Sequence, residues 1–456
     1  MTFTILKKNA FIYNRKDSFF EKLLIYFFSL FPIAFLLGNA AININIVIID
    51  LSFLIICLYQ KKWSWLKNKY FIFIFVIWIY LIVNAITVNI ADETLNKIKD
   101  FSKTDSLIRS LGFVKYIFLI FAVEHLFLNN KKSINQIFYF WSIIIVVVLI
   151  DVVFEKIFGF NTLGYKSPNP DRIVSFFKDE MIVGGFLLGF SFVTASFLLK
   201  NSDKSTIKKL FSNLFLILSL ICIYITTERS NFIKSIILFS CFLFFVSNHY
   251  LLFKKKYILF LLIVAILISS LIFKNTYYNY RNTFLRFEKS FKNLSTNPNL
   301  YKSSGDISGK SRPFFERFNA LVYASHYYSA WEIFKDYPIF GIGNKNFRLI
   351  CKDNKYENIN LFNKRCFTHP HQIHYELLAE NGIVGYLLII FFIIYALINS
   401  TKVYFKTYDI TLLITSLFVL THMLPFLPSG SFFATGNVTF WINFAILKVF
   451  LNKTNY

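Results

Sequence analysis

The sequence predicts an all-α polytopic membrane protein with about twelve transmembrane helices and one large water-exposed loop between helices nine and ten. Three observations predict it. The 456 residues are 56% hydrophobic, 20% aromatic and only 16% charged, with a mean hydropathy of +0.53, more apolar than a soluble domain of this length tolerates. Apolar runs long enough to cross about 30 Å of hydrocarbon recur along the chain. Lysines and arginines gather in alternate short loops, the pattern that orients a membrane protein.

The apolar runs lie near 19–38, 41–59, 70–90, 107–128, 135–157, 181–199, 209–226, 231–250, 256–273, 383–400, 408–426 and 433–451. Lys7, Lys8, Arg15 and Lys16 precede the first run. Alternate loops then carry Lys61, Lys62, Lys67 and Lys69, next Lys131 and Lys132, next Lys200 to Lys209, next Lys254 to Lys256, and finally Lys402 and Lys406. These predict the cytoplasmic side, with both termini there. The loops 91–105, 158–180, 226–230, 274–382 and 425–436 are expected on the outer side. No small-residue cleavage site follows the first run, so no cleaved signal is expected. The chain divides into a membrane part, 1–273, an outer loop, 274–382, and a second membrane part, 383–456.

The formal charge of +24 also suits a nucleic-acid binder, but most of the excess is the lysine bias of the inner loops. No nucleic-acid partner is expected; the partner implied by composition is a lipid bilayer. Cys57, Cys222 and Cys241 lie in apolar runs and read as packing residues. Cys351 and Cys366 lie in the outer loop, where an oxidising compartment would allow a disulfide as readily as two free thiols.

Charged residues at membrane depth carry more information, because a charge near hydrocarbon usually faces a partner or a cavity. Arg229 stands in Thr226-Thr227-Glu228-Arg229-Ser230-Asn231, a turn too short to leave the membrane surface, with Glu228 its obvious local partner. Arg172 leads towards the sixth run. Arg109 and Glu155 read as interfacial snorkelling.

In the outer loop, 317–335 reads as an aromatic-rich helix ended by Tyr337-Pro338. Gly341-Ile342-Gly343 and Asn344-Lys345-Asn346 follow, a turn whose backbone N–H groups could alternatively face an anion; the Walker and Rossmann spacings are absent. Next comes Thr368-His369-Pro370-His371-Gln372-Ile373-His374-Tyr375-Glu376, ahead of the tenth run. At helical spacing His371, Tyr375, Leu378 and Gly382 share one face, and Gln372, Glu376 and Glu380 the next. Three readings stand side by side: zinc on His369, His371 and His374, acid–base work by one histidine, or interfacial polarity. The spacing does not match the metalloprotease helix pattern, and no metal is expected.

These residues resemble the O-antigen ligase and polymerase family of the bacterial inner membrane. The family's motif of His, then Asn, Ser or Gln, then nine residues and Gly, is met by His371, Gln372 and Gly382. The run Tyr337-Pro338-Ile339-Phe340-Gly341-Ile342-Gly343 is similar to its proline and Gly-x-Gly element. Glu228 to Asn231 and Asp171-Arg172 are similar to its outer arginine patches. The family's arginine ahead of the proline element has Arg317 and Arg312 as its nearest counterparts here. The resemblance implies glycan transfer from undecaprenyl pyrophosphate to a sugar hydroxyl at the periplasmic face, most simply ligation to lipid A core, with polymerisation of lipid-linked repeats as the alternative. It implies His371 as base, Arg229, Arg172, Arg317 and Arg312 as pyrophosphate ligands, and His369, Gln372, His374, Glu376, Glu228, Gly341, Gly343 and Gly382 in support. It requires no cofactor. A secondary transporter is the rival from another class, opposed by charges that crowd the outer half instead of the midplane.

Overall fold

A computed structural model of the chain describes residues 18–88, 103–178, 180–202, 205–296, 323–359, 365–425 and 427–451. Among the described residues the secondary structure is helical, without strands. Helix α1 (Ser18–Ser29) turns by 56° into α2 (Phe31–Leu37), where Pro32 occupies the first turn, the position at which proline's missing N–H costs least. Then follow α3 (Asn39–Gln60), α4 (Lys69–Thr87), α5 (Lys103–Leu111), α6 (Val114–Asn129), α7 (Lys131–Phe158), α8 (Val183–Lys200), α9 (Thr206–Ile225), α10 (Arg229–Phe245), α11 (Lys255–Ile272) and α12 (Lys274–Thr296). After α12 come α13 (Ala324–Asp336) and the single turn α14 (Phe347–Ile350), and then α15 (Ile373–Thr407), α16 (Ile410–His422) and α17 (Val438–Leu451).

Each predicted apolar run contains helix, and the expectation of twelve spans is met in part. Eight helices among the described residues are long and apolar enough to cross a membrane, nine with the bent α1–α2 pair. Polar caps trim the others. Helix α10 has 17 residues, entered from the Glu228 turn. Helix α16 has 13, because the Asp409 carboxylate accepts from the N–H groups of Thr411 and Leu412 and Pro425 follows its end. Helix α17 has 14, after the Gly436 turn. The tenth run instead grows backwards, so that α15 has 35 residues with a kink at Gly382.

Helix α8 runs through the centre and is buried along nearly its whole length. Its Gly184, Gly185, Gly189, Ser191, Thr194, Ala195 and Ser196 let neighbours approach closely, as small residues do between membrane helices. A Cβ on Gly189 would stand 2.6 Å from Thr439 Cγ2 of α17. At one end of the bundle Lys200 pairs with Asp409, Gln60 reaches Glu21 and Asn201 bonds Asn135. These all belong to the loops predicted to share the lysine-rich face. The opposite end collects 158–180, 226–230, 428–432 and the histidine strip.

Candidate active site

Two arginine-bearing segments meet first. The strip after α7 is pinned by buried carboxylates: Asp151 accepts from the N–H and hydroxyl of Thr162, and Glu155 accepts from the N–H groups of Val174 and Ser175. Glu155 was expected to snorkel. It is buried instead, because a carboxylate facing backbone donors needs no water. The Thr227 hydroxyl then donates to the Asp171 carbonyl at 2.6 Å, which brings the Arg172 segment against the Arg229 turn.

Glu228 is not simply the partner of Arg229. Its carboxylate accepts from Gly184 N–H at 2.6 Å, Gly185 N–H at 3.2 Å and the Asn231 carboxamide at 2.6 Å, capping the N-terminus of α8, where negative charge is favoured. Burial raises its pKa, opposed by these bonds and by the nearby Arg172. Burial also raises Tyr280 of α12, which feels Arg229 and Arg172 in the opposite sense. Both arginines therefore share one locality with Tyr280, and each is half-buried.

The glycine element and the histidine helix interlock backbone to backbone. Ile342 and Gly343 donate to the carbonyls of Ala379 and Glu380 at 3.0 and 2.8 Å, and Ile383 donates to Pro338 at 2.8 Å. Gly382 has φ 61 and ψ −171, a conformation reserved for glycine, and a Cβ there would stand 2.2 Å from the Ile339 carbonyl oxygen. At Gly341, φ is 71 and a Cβ would stand 2.6 Å from the Glu380 carbonyl carbon. The loop's backbone donors do face an acidic group, but one of the chain's own: Lys345 N–H and Phe347 N–H donate to the Glu380 carboxyl oxygens at 2.8 and 3.2 Å. Gly341 and Gly343 thus act through packing.

His371 lies outside the helix predicted to carry it. Its φ is 61, α15 starts at Ile373, and Gln372 is the N-cap, its side-chain oxygen accepting from the N–H groups of His374 and Tyr375 at 2.7 and 3.1 Å. His371 therefore shares no face with Tyr375. Instead its ring lies 4.5 Å, centroid to centroid, from Tyr323, 4.2 Å from His369, 4.9 Å from Phe367 and 5.4 Å from His326. Burial, then His369 and His326, push its pKa down to about 3. Burial, then Lys345, push His369 down to about 4. Both imidazoles are neutral at neutral pH and can accept a proton.

His374 points elsewhere. Its Nε2 is 2.8 Å from the Met423 carbonyl and its Nδ1 3.1 Å from the Tyr386 hydroxyl. A carbonyl only accepts, so Nε2 carries the proton and Tyr386 donates to Nδ1. Both nitrogens are engaged, so His374 is turned away from His369 and His371, with which one of the three readings grouped it.

The last wall comes from the stretch after α16, which sequence reasoning left without a role. The Pro428 carbonyl accepts from the Ser230 hydroxyl and from Lys234 Nζ, and Ser429 N–H donates to the His371 carbonyl at 2.8 Å. Ser431 Oγ bonds both Lys345 Nζ and Glu376. Lys345 pairs with Glu376 at 3.5 Å, and Phe432 N–H donates to the same carboxylate at 2.8 Å. Glu376 is fully buried. Its place in the histidine strip was legible; Lys345 and Ser431 as its surroundings, and Tyr323 and His326 as those of His371, were not. Cys351 and Cys366 are paired as a disulfide with Cα atoms 5.4 Å apart. Arg312 and Arg317 lie outside the described residues.

The arrangement offers cations at the Arg172–Arg229 turn and neutral imidazoles joined to it through residues 428 and 429. A family model described as O-antigen ligase matches residues 214–390, from α9 through the histidine strip into α15. No curated protein matches the chain.

Proposed function

We propose, from the O-antigen ligase family match over residues 214–390, that the protein transfers a glycan from undecaprenyl pyrophosphate to a sugar hydroxyl of lipid A core, at the periplasmic face of a bacterial inner membrane. His371 accepts the proton of the acceptor hydroxyl. Arg229 and Arg172 hold the pyrophosphate as it leaves the anomeric carbon, so that the charge developing on the leaving oxygen meets fixed cations. Attack from the face opposite the leaving group inverts the anomeric centre. No metal is needed when the cations are side chains.

The observation that carries this reading is His371 itself. It holds a left-handed backbone, uncommon for any residue with a side chain, and its carbonyl is tied by Ser429 to the strap that also binds Ser230, next to Arg229. A base alone serves many reactions. A neutral base coupled to a cation-bearing turn suits a hydroxyl nucleophile and an anionic leaving group.

The test is a gel of surface lipopolysaccharide from a deletion strain, beside an assay for undecaprenyl-linked glycan, with wild-type and His371→Ala add-back. Bare core with polymer accumulating on undecaprenyl, restored only by the wild type, supports ligation. Core bearing one repeat indicates the polymerase alternative. An unchanged gel with unchanged lipid-linked glycan overturns glycan transfer.

A further inference from the structure

A cleft opens beside His371, lined by Arg348, Leu349, Lys352, Cys366, Phe367 and Thr368. Its two walls are built together. The Cys351–Cys366 bond holds together the two segments that supply Lys352 and Phe367, the residues that follow each cysteine. The Arg365 guanidinium adds donors to the carbonyls of Cys351 at 2.8 Å and Lys352 at 3.2 Å.

Two features of the cleft suit a ligand. Phe367 is 53% exposed while its ring touches both His371 at 4.9 Å and His326 at 5.9 Å. An aromatic face open to solvent beside a base is what a sugar ring's C–H face packs against. The cleft is also basic. Arg348, paired with Asp105, and Lys352, which is exposed, both line it. Arginine's fork and lysine's point charge both suit phosphate or carboxylate oxygens.

We propose that this cleft is the acceptor subsite, taking a sugar that carries a phosphate or carboxylate group, with Phe367 under the ring and Lys352 and Arg348 on the anion. The proposal rests on the glycan-transfer reading and adds which side of His371 the hydroxyl approaches from. The acceptor ring on Phe367 brings its hydroxyl to the imidazole. The donor pyrophosphate occupies the arginine turn on the far side of residues 428 and 429.

The experiment uses the full-length protein in proteoliposomes with a purified undecaprenyl-pyrophosphate glycan as donor. Three acceptors are compared: a core glycolipid bearing phosphate, the same glycolipid after phosphate removal, and a uronate-bearing glycolipid. Phe367→Ala and Lys352→Glu are expected to raise the acceptor KM about tenfold each, with the donor KM unchanged, and Phe367→Trp to restore it. The wild type is expected to show a higher KM for the acceptor without phosphate. Recovery with the uronate acceptor identifies carboxylate as equivalent; no recovery restricts the site to phosphate. Unchanged acceptor KM in both variants overturns the subsite while leaving transfer intact. Absence of transfer by the wild type to every acceptor overturns the functional reading and the subsite with it. A melting temperature for each variant separates a lost subsite from a lost fold.

Discussion

Ser429 donates its backbone N–H to the carbonyl of His371 at 2.8 Å, while the residue before it, Pro428, accepts from Ser230 and Lys234. One peptide thus joins the turn that carries Arg229 to the residue proposed as base. Lys234 is almost wholly buried, 1% exposed, and an ammonium in that setting is costly unless it holds something in place. Lys234→Met is expected to cut the transfer rate at least about tenfold by releasing Pro428, since small misplacements of a reacting group carry large rate effects. Lys234→Arg is expected to recover part of it. Rates in proteoliposomes, beside melting temperatures in detergent, check this.

The junction of the glycine element with α15 predicts a stability effect. Gly382→Ala forces a Cβ into the Ile339 carbonyl and a conformation closed to alanine, and is expected to cost at least about 3 kcal/mol. Gly341→Ala meets backbone at 2.6 Å and should behave alike. Loss of folded protein by size-exclusion in detergent, or a clear drop in melting temperature, is the expected readout.

Glu376 predicts a different signature. Glu376→Ala leaves the Lys345 ammonium buried without its carboxylate, at an expected cost of about 3–5 kcal/mol. Adding Lys345→Met removes the stranded charge and should recover part of the loss, so the two changes combine to less than their sum. A double-mutant cycle of melting temperatures measures it.

The proposed base fixes the pH dependence. The His371 pKa is lowered to about 3 by burial and by His369 and His326, so the imidazole is neutral across the range where an ordinary histidine titrates. For the free protein, kcat/KM is therefore expected to stay level as pH falls through 6.5 and to drop only at lower pH. Bound pyrophosphate, an anion, stabilises the protonated ring and moves the limb of kcat to higher pH. A fall in kcat/KM centred on 6.5 would point to a different, exposed group.

Much of the fold was legible because its causes are local. Apolar runs mark helices wherever they occur, and each predicted run contains one. Helix lengths were not legible, because Asp409 and the Glu228 turn set helix starts through bonds that hydropathy does not register. His371, Gln372 and Gly382 were legible as a spaced set, and so was the element around Gly341 and Gly343. Their interlocking was not, since it depends on backbone conformation at Gly382. Nor was His371's exit from the helix, set by Gln372 serving as N-cap. Ser429, Ser431 and His326 gain their roles only from tertiary proximity, and nothing in their own neighbourhoods along the chain marks them.

Transfer from purified undecaprenyl-pyrophosphate glycan to core glycolipid, followed in proteoliposomes holding equal amounts of wild type, His371→Ala and Arg229→Ala, tests the central claim most directly. A loss of at least about a hundredfold in each variant is predicted, the scale of a missing general base or of a missing charge at the leaving group. Transfer retained near the wild-type rate in both, with folding intact, would contradict the assignment of base and clamp.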